Sequence, residues 1–75
     1  MSDITNYENL ANAVIVQAAN DYRMALKCLK ANPKNRTALA DKDEIKRFFS
    51  SGWFTVLTSV DGETLIRSLT MEVDA

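Results

Sequence analysis

The sequence predicts an all-α fold: a small helical bundle of about four helices, with one long N-terminal helix and the others packed on it. The first observation is an apolar stripe over residues 7–29, whose members fall within an arc of roughly 160° when the segment is wound as a helix. The second is a pair of break signals, at 31–33 and 50–52, which divide the remainder into helix-length segments. The third is that only residues 53–58 resemble a strand, and a single strand has nothing to pair with.

The apolar stripe belongs to the first predicted helix. Thr5 and Glu8 have the spacing of a capping box, and Asn6 is a competing N-cap, so this helix is expected to begin close to Tyr7. Residues 1–5 and 73–75, the two ends of this single domain, are expected to be frayed. The stripe consists of Leu10, Ala11, Val14, Ile15, Ala18, Tyr22, Ala25, Leu26 and Leu29.

Some residues of the first helix do not fit this pattern. Asp21 projects towards the edge of the stripe, where a carboxylate needs a partner. An ion pair with a lysine or arginine of the second helix is the expected arrangement, and a functional carboxylate is the alternative. Val16 and Met24 point away from the stripe, either as isolated exposed side chains or as part of a subunit contact.

The second helix is predicted over residues 33–50, because proline suits the first turn of a helix. Asp41 and Glu44 have capping-box spacing inside this segment. The segment is therefore either one helix with a kink or two shorter pieces, and we predict one helix.

The third and fourth helices follow the break at 50–52. Residues 53–58 are rich in β-branched and aromatic side chains, which favours a strand, but Trp53 and Leu57 have helical spacing, so we predict a short helix over 52–58. Asp61 is predicted to cap a fourth helix over 62–72. The expected core consists of Leu10, Val14, Ala18, Tyr22, Leu26, Leu29, Ile45, Phe49, Trp53, Leu57, Leu65 and Leu69.

Composition narrows the class of protein. A chain of 75 residues forms one domain that buries only about 60% of its surface, so a homo-oligomer is plausible as a source of further stability. The single Cys28 excludes an intrachain disulfide, and without histidine no zinc site of the usual kind can form. No apolar run is long enough to span a membrane, and no signal peptide is evident, so we expect a cytoplasmic protein.

The sequence contains few residues that catalysis could use. The absence of histidine excludes serine–histidine and cysteine–histidine nucleophiles. Gly52 and Gly62 are too far apart for a phosphate-binding loop. The carboxylates at 41–44 and 61–63 lie where helices are expected to begin, so they are interpreted as caps. We therefore expect a non-enzymatic protein with no catalytic residue, no metal and no cofactor.

The first candidate binding surface is aromatic. Four rings, those of Phe48, Phe49, Trp53 and Phe54, lie within seven residues, which is more than a small core easily hides. They either form the core or contact a protein partner, with tryptophan as a typical anchor. The residues predicted to form a protein interface are Phe48, Trp53, Phe54, Val16 and Met24.

The second candidate surface is basic. Arg23, Lys27 and Lys30 are spaced i, i+4 and i+7 on the first helix, opposite the apolar stripe, and Lys34 and Arg36 extend this basic stripe across the turn. It is either a solvated polar face or a contact for the phosphates of nucleic acid or of a nucleotide. The formal net charge of −1 provides no long-range attraction to a polyanion.

Three segments resemble proteins of a known group. They are ANDYRMAL at 19–26, EIKRFFSSGWF at 44–54 and DGETLIRSL at 61–69, with Leu57 and Thr58 between the last two. Together they resemble small proteins encoded by phages, prophages and other mobile elements of Gram-positive bacteria. The resemblance implies a genomic setting and transfers no catalytic residue.

Small phage proteins commonly bind a host factor, and some block bacterial defence systems. The resemblance therefore implies an accessory protein of the host-cell cytoplasm that binds and modulates a host protein, an inhibitor of a bacterial defence system being the specific case. The alternative is a nucleic-acid- or nucleotide-binding module that uses the basic stripe. A structural protein of a virion is a third, weaker interpretation.

Overall fold

The chain folds into helices joined by short connections. In the computed structural model, the backbone is described for residues 3–74 and the side chains for residues 9–74. This part of the chain contains four helices and no strand: α1 Asp3–Ala31, α2 Arg36–Phe49, α3 Gly52–Leu57 and α4 Gly62–Asp74. The predicted all-α bundle is confirmed, and the segment at 53–58 is helical.

Helix α1 sets the long dimension of the molecule. Its 29 residues extend about 44 Å at roughly 1.5 Å per residue, nearly the longest dimension of a molecule that measures 47 × 21 × 20 Å. It contacts each of the other three helices, as predicted. The helix begins at Asp3, so the predicted start close to Tyr7 is wrong by four residues, and residues 3–5 belong to the helix. The side chains of the predicted capping box, and residues 1, 2 and 75, lie outside the described part.

Helix α2 begins at Arg36, not at Pro33 as predicted, because Asn35 provides the N-cap. Its backbone is extended, with φ −67° and ψ 106°, and its Oδ1 accepts a hydrogen bond from the Ala38 amide at 3.1 Å. Pro33 lies instead in the turn before this cap. The helix continues through Asp41 without a break, so the alternative of two shorter pieces is wrong.

One hydroxyl joins the end of α2 to the start of α3. Ser51 Oγ donates a hydrogen bond to the Phe48 carbonyl at 2.7 Å and accepts one from the Phe54 amide at 3.4 Å. Ser51 thus caps α3 and ties its first turn to the end of α2.

Asp61 caps α4, as predicted. Its Oδ2 accepts hydrogen bonds from the Thr64 hydroxyl at 2.6 Å and from the Thr64 amide at 3.3 Å. These bonds, the hydroxyl bond above all, favour the charged carboxylate and lower the pKa of Asp61 below its ordinary value. Helix α4 ends at Asp74, two residues beyond the predicted end.

Contacts between side chains show how α4 lies beside α1. The hydroxyls of Tyr22 and Thr70 are 3.4 Å apart, and Lys30 Nζ donates a hydrogen bond to the Val73 carbonyl at 3.1 Å. The start of α4 lies against the end of α2, where Gly62 approaches the Phe49 backbone. Helix α4 therefore runs from the end of α2 towards the C-terminal end of α1.

The core is smaller than the predicted one and differs from it at several positions. Leu10 and Val14 are 65% and 41% exposed, and Trp53 is 73% exposed, so their assignment to the core is wrong. Leu10 and Val14 lie at the edge of the apolar stripe, beyond the sector that the other helices cover. Among residues 9–74, the buried apolar side chains are Ala11, Ala19, Tyr22, Ala25, Ala38, Phe49, Phe54 and Leu69.

Candidate functional site

The aromatic residues at 48–54 separate into buried and exposed members. The Phe49 and Phe54 rings are 5.3 Å apart and nearly perpendicular, and Phe48 packs on both. Phe54 is fully buried, so the prediction that it contacts a partner is wrong. Phe48 is half-buried. The rings thus act mainly as core, and the sequence could not separate the two roles.

Trp53 lies on the solvent-exposed side of α3. Consecutive residues of a helix point about 100° apart, so with Phe54 held inward Trp53 points outward. Val56 lies one turn further on the same side and is 65% exposed. We call Trp53 and Val56 the Trp53 face. It is an apolar surface on a short helix that is tied to α2 at one end.

A second apolar surface is an open groove between α1 and α2, with a volume of about 930 Å³. Its floor combines small and large apolar side chains that are buried or half-buried. They are Ala18, Ala25, Ala38, Ile45 and Phe48. No residue of α3 or α4 lines the groove. The α1–α2 groove is therefore a trough on one face of a helical hairpin.

The rim of the α1–α2 groove carries charge of one sign. Asp21 comes from α1, Asp41 and Glu44 come from α2, and all three side chains are exposed. No lysine or arginine is among the lining residues. An apolar floor with an acidic rim is a surface for a ligand that is apolar on one side and basic at its edges.

Asp21 does not form the ion pair that was predicted with the second helix. Its carboxylate accepts hydrogen bonds from Gln17 Nε2 at 3.2 and 3.4 Å. Among the residues whose side chains are described, no lysine or arginine lies within ion-pair distance of it. Its place on the rim, facing solvent, explains why it needs no buried partner.

Val16 and Met24, the other predicted interface residues, are 57% and 62% exposed. Met24 lines the α1–α2 groove, whereas Val16 does not. The two residues therefore do not belong to one surface patch around the groove.

The basic stripe is partly occupied by contacts within the chain. Arg23 donates hydrogen bonds from Nε and Nη2 to the two carboxylate oxygens of Glu72, and from Nη1 to Asn20 at 2.8 Å. Lys30 binds the Val73 carbonyl. The stripe therefore adjoins α4 in part, instead of lying wholly in solvent as predicted. Lys27, Lys34 and Arg36 are exposed.

Within the described residues, no group of three or more histidine, cysteine, aspartate or glutamate side chains is placed to hold a metal ion. No helix in this part of the chain combines the length and apolar character that crossing a membrane requires.

Sequence reasoning missed the position of Asp41 and Glu44 beside the α1–α2 groove, because it interpreted them only as residues of a helix start. The signal was nevertheless present. Thr37, Asp41, Glu44 and Phe48 follow each other at i, i+4, i+7 and i+11, so they form one stripe along α2. Gln17, Asp21, Met24 and Cys28 repeat the same spacing on α1.

Comparison with known proteins adds no relative. No family model matches the sequence, and neither a curated protein nor a solved structure shows significant similarity to it. The resemblance to small phage and mobile-element proteins therefore stays a prediction.

Proposed function

We propose that this protein is a non-enzymatic binding module that recognises another protein through exposed apolar surface and modulates it. The observation that carries the proposal is the exposure of Trp53, 73% of whose surface is open to solvent. Tryptophan is a frequent anchor of protein interfaces because a large, rigid ring buries much surface at little entropic cost. Exposing it without a partner has no evident benefit to the fold.

The total surface supports the same proposal. The chain exposes 5480 Å², whereas a compact monomer of 8.4 kDa is expected to expose about 4,600 Å². The excess of about 900 Å² is slightly more than the roughly 800 Å² that each partner buries in a standard complex. Large apolar side chains contribute to it. Those exposed are Leu10, Val14, Val16, Met24, Leu39, Trp53, Val56, Val60 and Met71.

In its specific form, the proposal is that of a phage-type accessory protein whose partner is a host protein, as in an inhibitor of a bacterial defence system. The support for this form is the resemblance of segments 19–26, 44–54 and 61–69 to small mobile-element proteins. The absence of histidine from the sequence favours binding over catalysis.

The alternative of nucleic-acid or nucleotide binding has weaker support. Glu72 pairs with Arg23, and Lys30 donates a hydrogen bond to α4. Among the side chains that the structure describes, Lys27 is then the residue of the α1 stripe without such a contact. Binding to phosphates would be steeply salt-dependent and would weaken on charge reversal at Lys27.

The experiment is a tagged pull-down from a Gram-positive bacterial lysate treated with nuclease. Wild type, Trp53→Ala and a control, Met71→Ala, are compared, since Met71 is 66% exposed but lies on α4. The retained protein is then purified, and its affinity for each variant is measured by calorimetry. We expect a stoichiometric partner whose affinity falls at least 30-fold for Trp53→Ala and little for Met71→Ala.

Two outcomes contradict the proposal. One is a chain that retains no protein. The other is a chain whose retained material disappears with nuclease, which favours the basic stripe. Sedimentation equilibrium of the purified chain tests the predicted homo-oligomer in the same preparations.

A further inference from the structure

We infer that the α1–α2 groove binds one amphipathic helix of the partner protein, and that lysine or arginine residues flank the apolar face of that helix. The inference rests on the proposed function, because it names the kind of segment that the binding module recognises. It is carried by the geometry of the groove and by the sign of the charges on its rim.

The groove is long enough to hold about three turns of a helix. The stripes 17–28 on α1 and 37–48 on α2 each cover eleven steps of a helix, about 16 Å or three turns. Their spacing of four, three and four residues is the spacing with which one helix faces another along a seam. A third helix lying between them would contact both stripes over this length.

The floor allows close approach of such a helix. Ala18, Ala25 and Ala38 end at Cβ, so they leave room for the side chains of an incoming helix between α1 and α2. Ile45 and Phe48 offer larger apolar surfaces further along α2. Helices that dock in grooves insert apolar side chains at i, i+3 or i+4, and i+7, which matches a trough of three turns.

The rim selects the charge of the occupant. Residues at the edges of a docked helix would face Asp21 on one side and Asp41 and Glu44 on the other. Lysine or arginine at those edges would form partly exposed ion pairs, whereas acidic residues would meet like charges. A basic flank therefore distinguishes the correct occupant from other amphipathic helices.

The same charges argue against a second copy of this chain as the occupant. In a two-fold symmetric contact through the groove, each copy would bring its three rim carboxylates to the same interface, with no lysine or arginine of the groove between them. A head-to-tail contact would leave one groove open and continue into a filament or ring. The occupant that fits is a segment of a different protein.

Synthetic peptides test this inference on the full chain. The probe is a fluorescein-labelled 14-residue peptide with leucine at i, i+3, i+4 and i+7 and lysine at the flanking positions. A second peptide has glutamate in place of lysine. A third peptide contains the same residues as the lysine peptide in scrambled order. Fluorescence anisotropy is expected to show at least ten-fold tighter binding of the lysine peptide than of either of the others.

A matched pair of variants locates the binding. Asp41→Lys with Glu44→Lys reverses charge on the rim, and Asp43→Lys with Asp74→Lys makes the same change of net charge at exposed residues outside the groove. We expect the first variant to lose at least ten-fold in affinity for the lysine peptide and to gain affinity for the glutamate peptide. We expect the second to change less than three-fold. Circular dichroism confirms that both variants fold.

Equal loss in both variants, or equal binding of the lysine and scrambled peptides, would overturn the inference. A lysate partner whose binding depends on Trp53 but is unchanged by Asp41→Lys with Glu44→Lys would overturn the groove assignment and leave the proposed function standing. A chain that retains no partner at all overturns the proposed function itself.

Discussion

The contact between the start of α4 and the end of α2 makes Gly62 a sensitive position. A Cβ atom built at Gly62 lies 1.9 Å from the Phe49 carbonyl oxygen and 2.9 Å from its carbonyl carbon. An ordinary contact begins near 3.4 Å, so the two backbones must separate by about 1.5 Å in Gly62→Ala. The obstructing atom belongs to the backbone, so rotation of a side chain cannot relieve the clash.

The cost of Gly62→Ala follows from this separation. Overpacking of this kind destabilises by roughly 1–3 kcal/mol. We expect about 3 kcal/mol, because moving α4 also disturbs the packing of Leu69, which is 3% exposed. A domain of 75 residues has a total stability of roughly 4–11 kcal/mol, so the loss is a large fraction of it.

Gly52→Ala is the matched control for Gly62→Ala. Gly52 also begins a helix, but nothing lies within 4 Å of a Cβ atom built there. Alanine at Gly52 should stabilise the fold by about 0.4–1 kcal/mol, because it restricts the unfolded chain. Urea denaturation followed by circular dichroism measures both variants. A Gly62→Ala variant as stable as wild type, or equal losses at both positions, would refute the reasoning.

Three further predictions concern single side chains, each measured by urea denaturation. Phe54→Ala should lose about 3–5 kcal/mol, whereas Trp53→Ala should stay within about 0.5 kcal/mol of wild type; similar losses in both would contradict the assigned core. Asn35→Ala should lose about 0.5–2 kcal/mol and Asp41→Ala close to none, and the reverse order would indicate that α2 begins at Asp41. Because its pKa is lowered in the fold, the Asp61 carboxylate stabilises the protein above the unfolded pKa, and this contribution is lost as the pH falls through the folded pKa. The stability difference between wild type and Asp61→Asn should therefore shrink as the pH is lowered from about 5 towards 2, and a constant difference would contradict this account.

The helices could be predicted from the sequence because the patterns that define them are local. Apolar periodicity and N-capping side chains act within a few residues, so the body of α1 and the Asp61 cap of α4 could be predicted directly, although α1 begins at Asp3 and not near Tyr7. The start of α2 could not, since Pro33 and Asn35 are both acceptable there. The hydrogen bond from the Ala38 amide to Asn35 decides between them.

Which residues belong to the core depends on tertiary contacts, and the apolar periodicity of one helix does not predict them. The apolar stripe of α1 is wider than the sector that its neighbours cover, so Leu10 at its edge is exposed while Ala11 is buried. In α3, the rotation of the six-residue helix about its own axis determines whether Trp53 or Phe54 faces the core. Turning the helix by the angle between consecutive residues, about 100°, would bring Trp53 to the core and expose Phe54.

The candidate site shows the same division between local and tertiary information. Each of the two stripes that border the groove is visible in the sequence by its spacing. Their position side by side is not, because it requires α2 to fold back along α1. The pairing of Arg23 with Glu72, 49 positions apart, is likewise a property of the fold, and it withdraws one charge from the basic stripe.

The measurement that tests the groove most directly is a heteronuclear NMR titration of the ¹⁵N-labelled chain with the lysine-flanked leucine peptide. We predict that the largest shifts occur at backbone amides along the groove, including Asp21, Ala25, Asp41 and Ile45, and that Met71 on α4 shifts little. Shifts centred on Trp53 and Val56, or spread evenly over the four helices, would contradict the assignment of the α1–α2 groove as the seat of a partner helix.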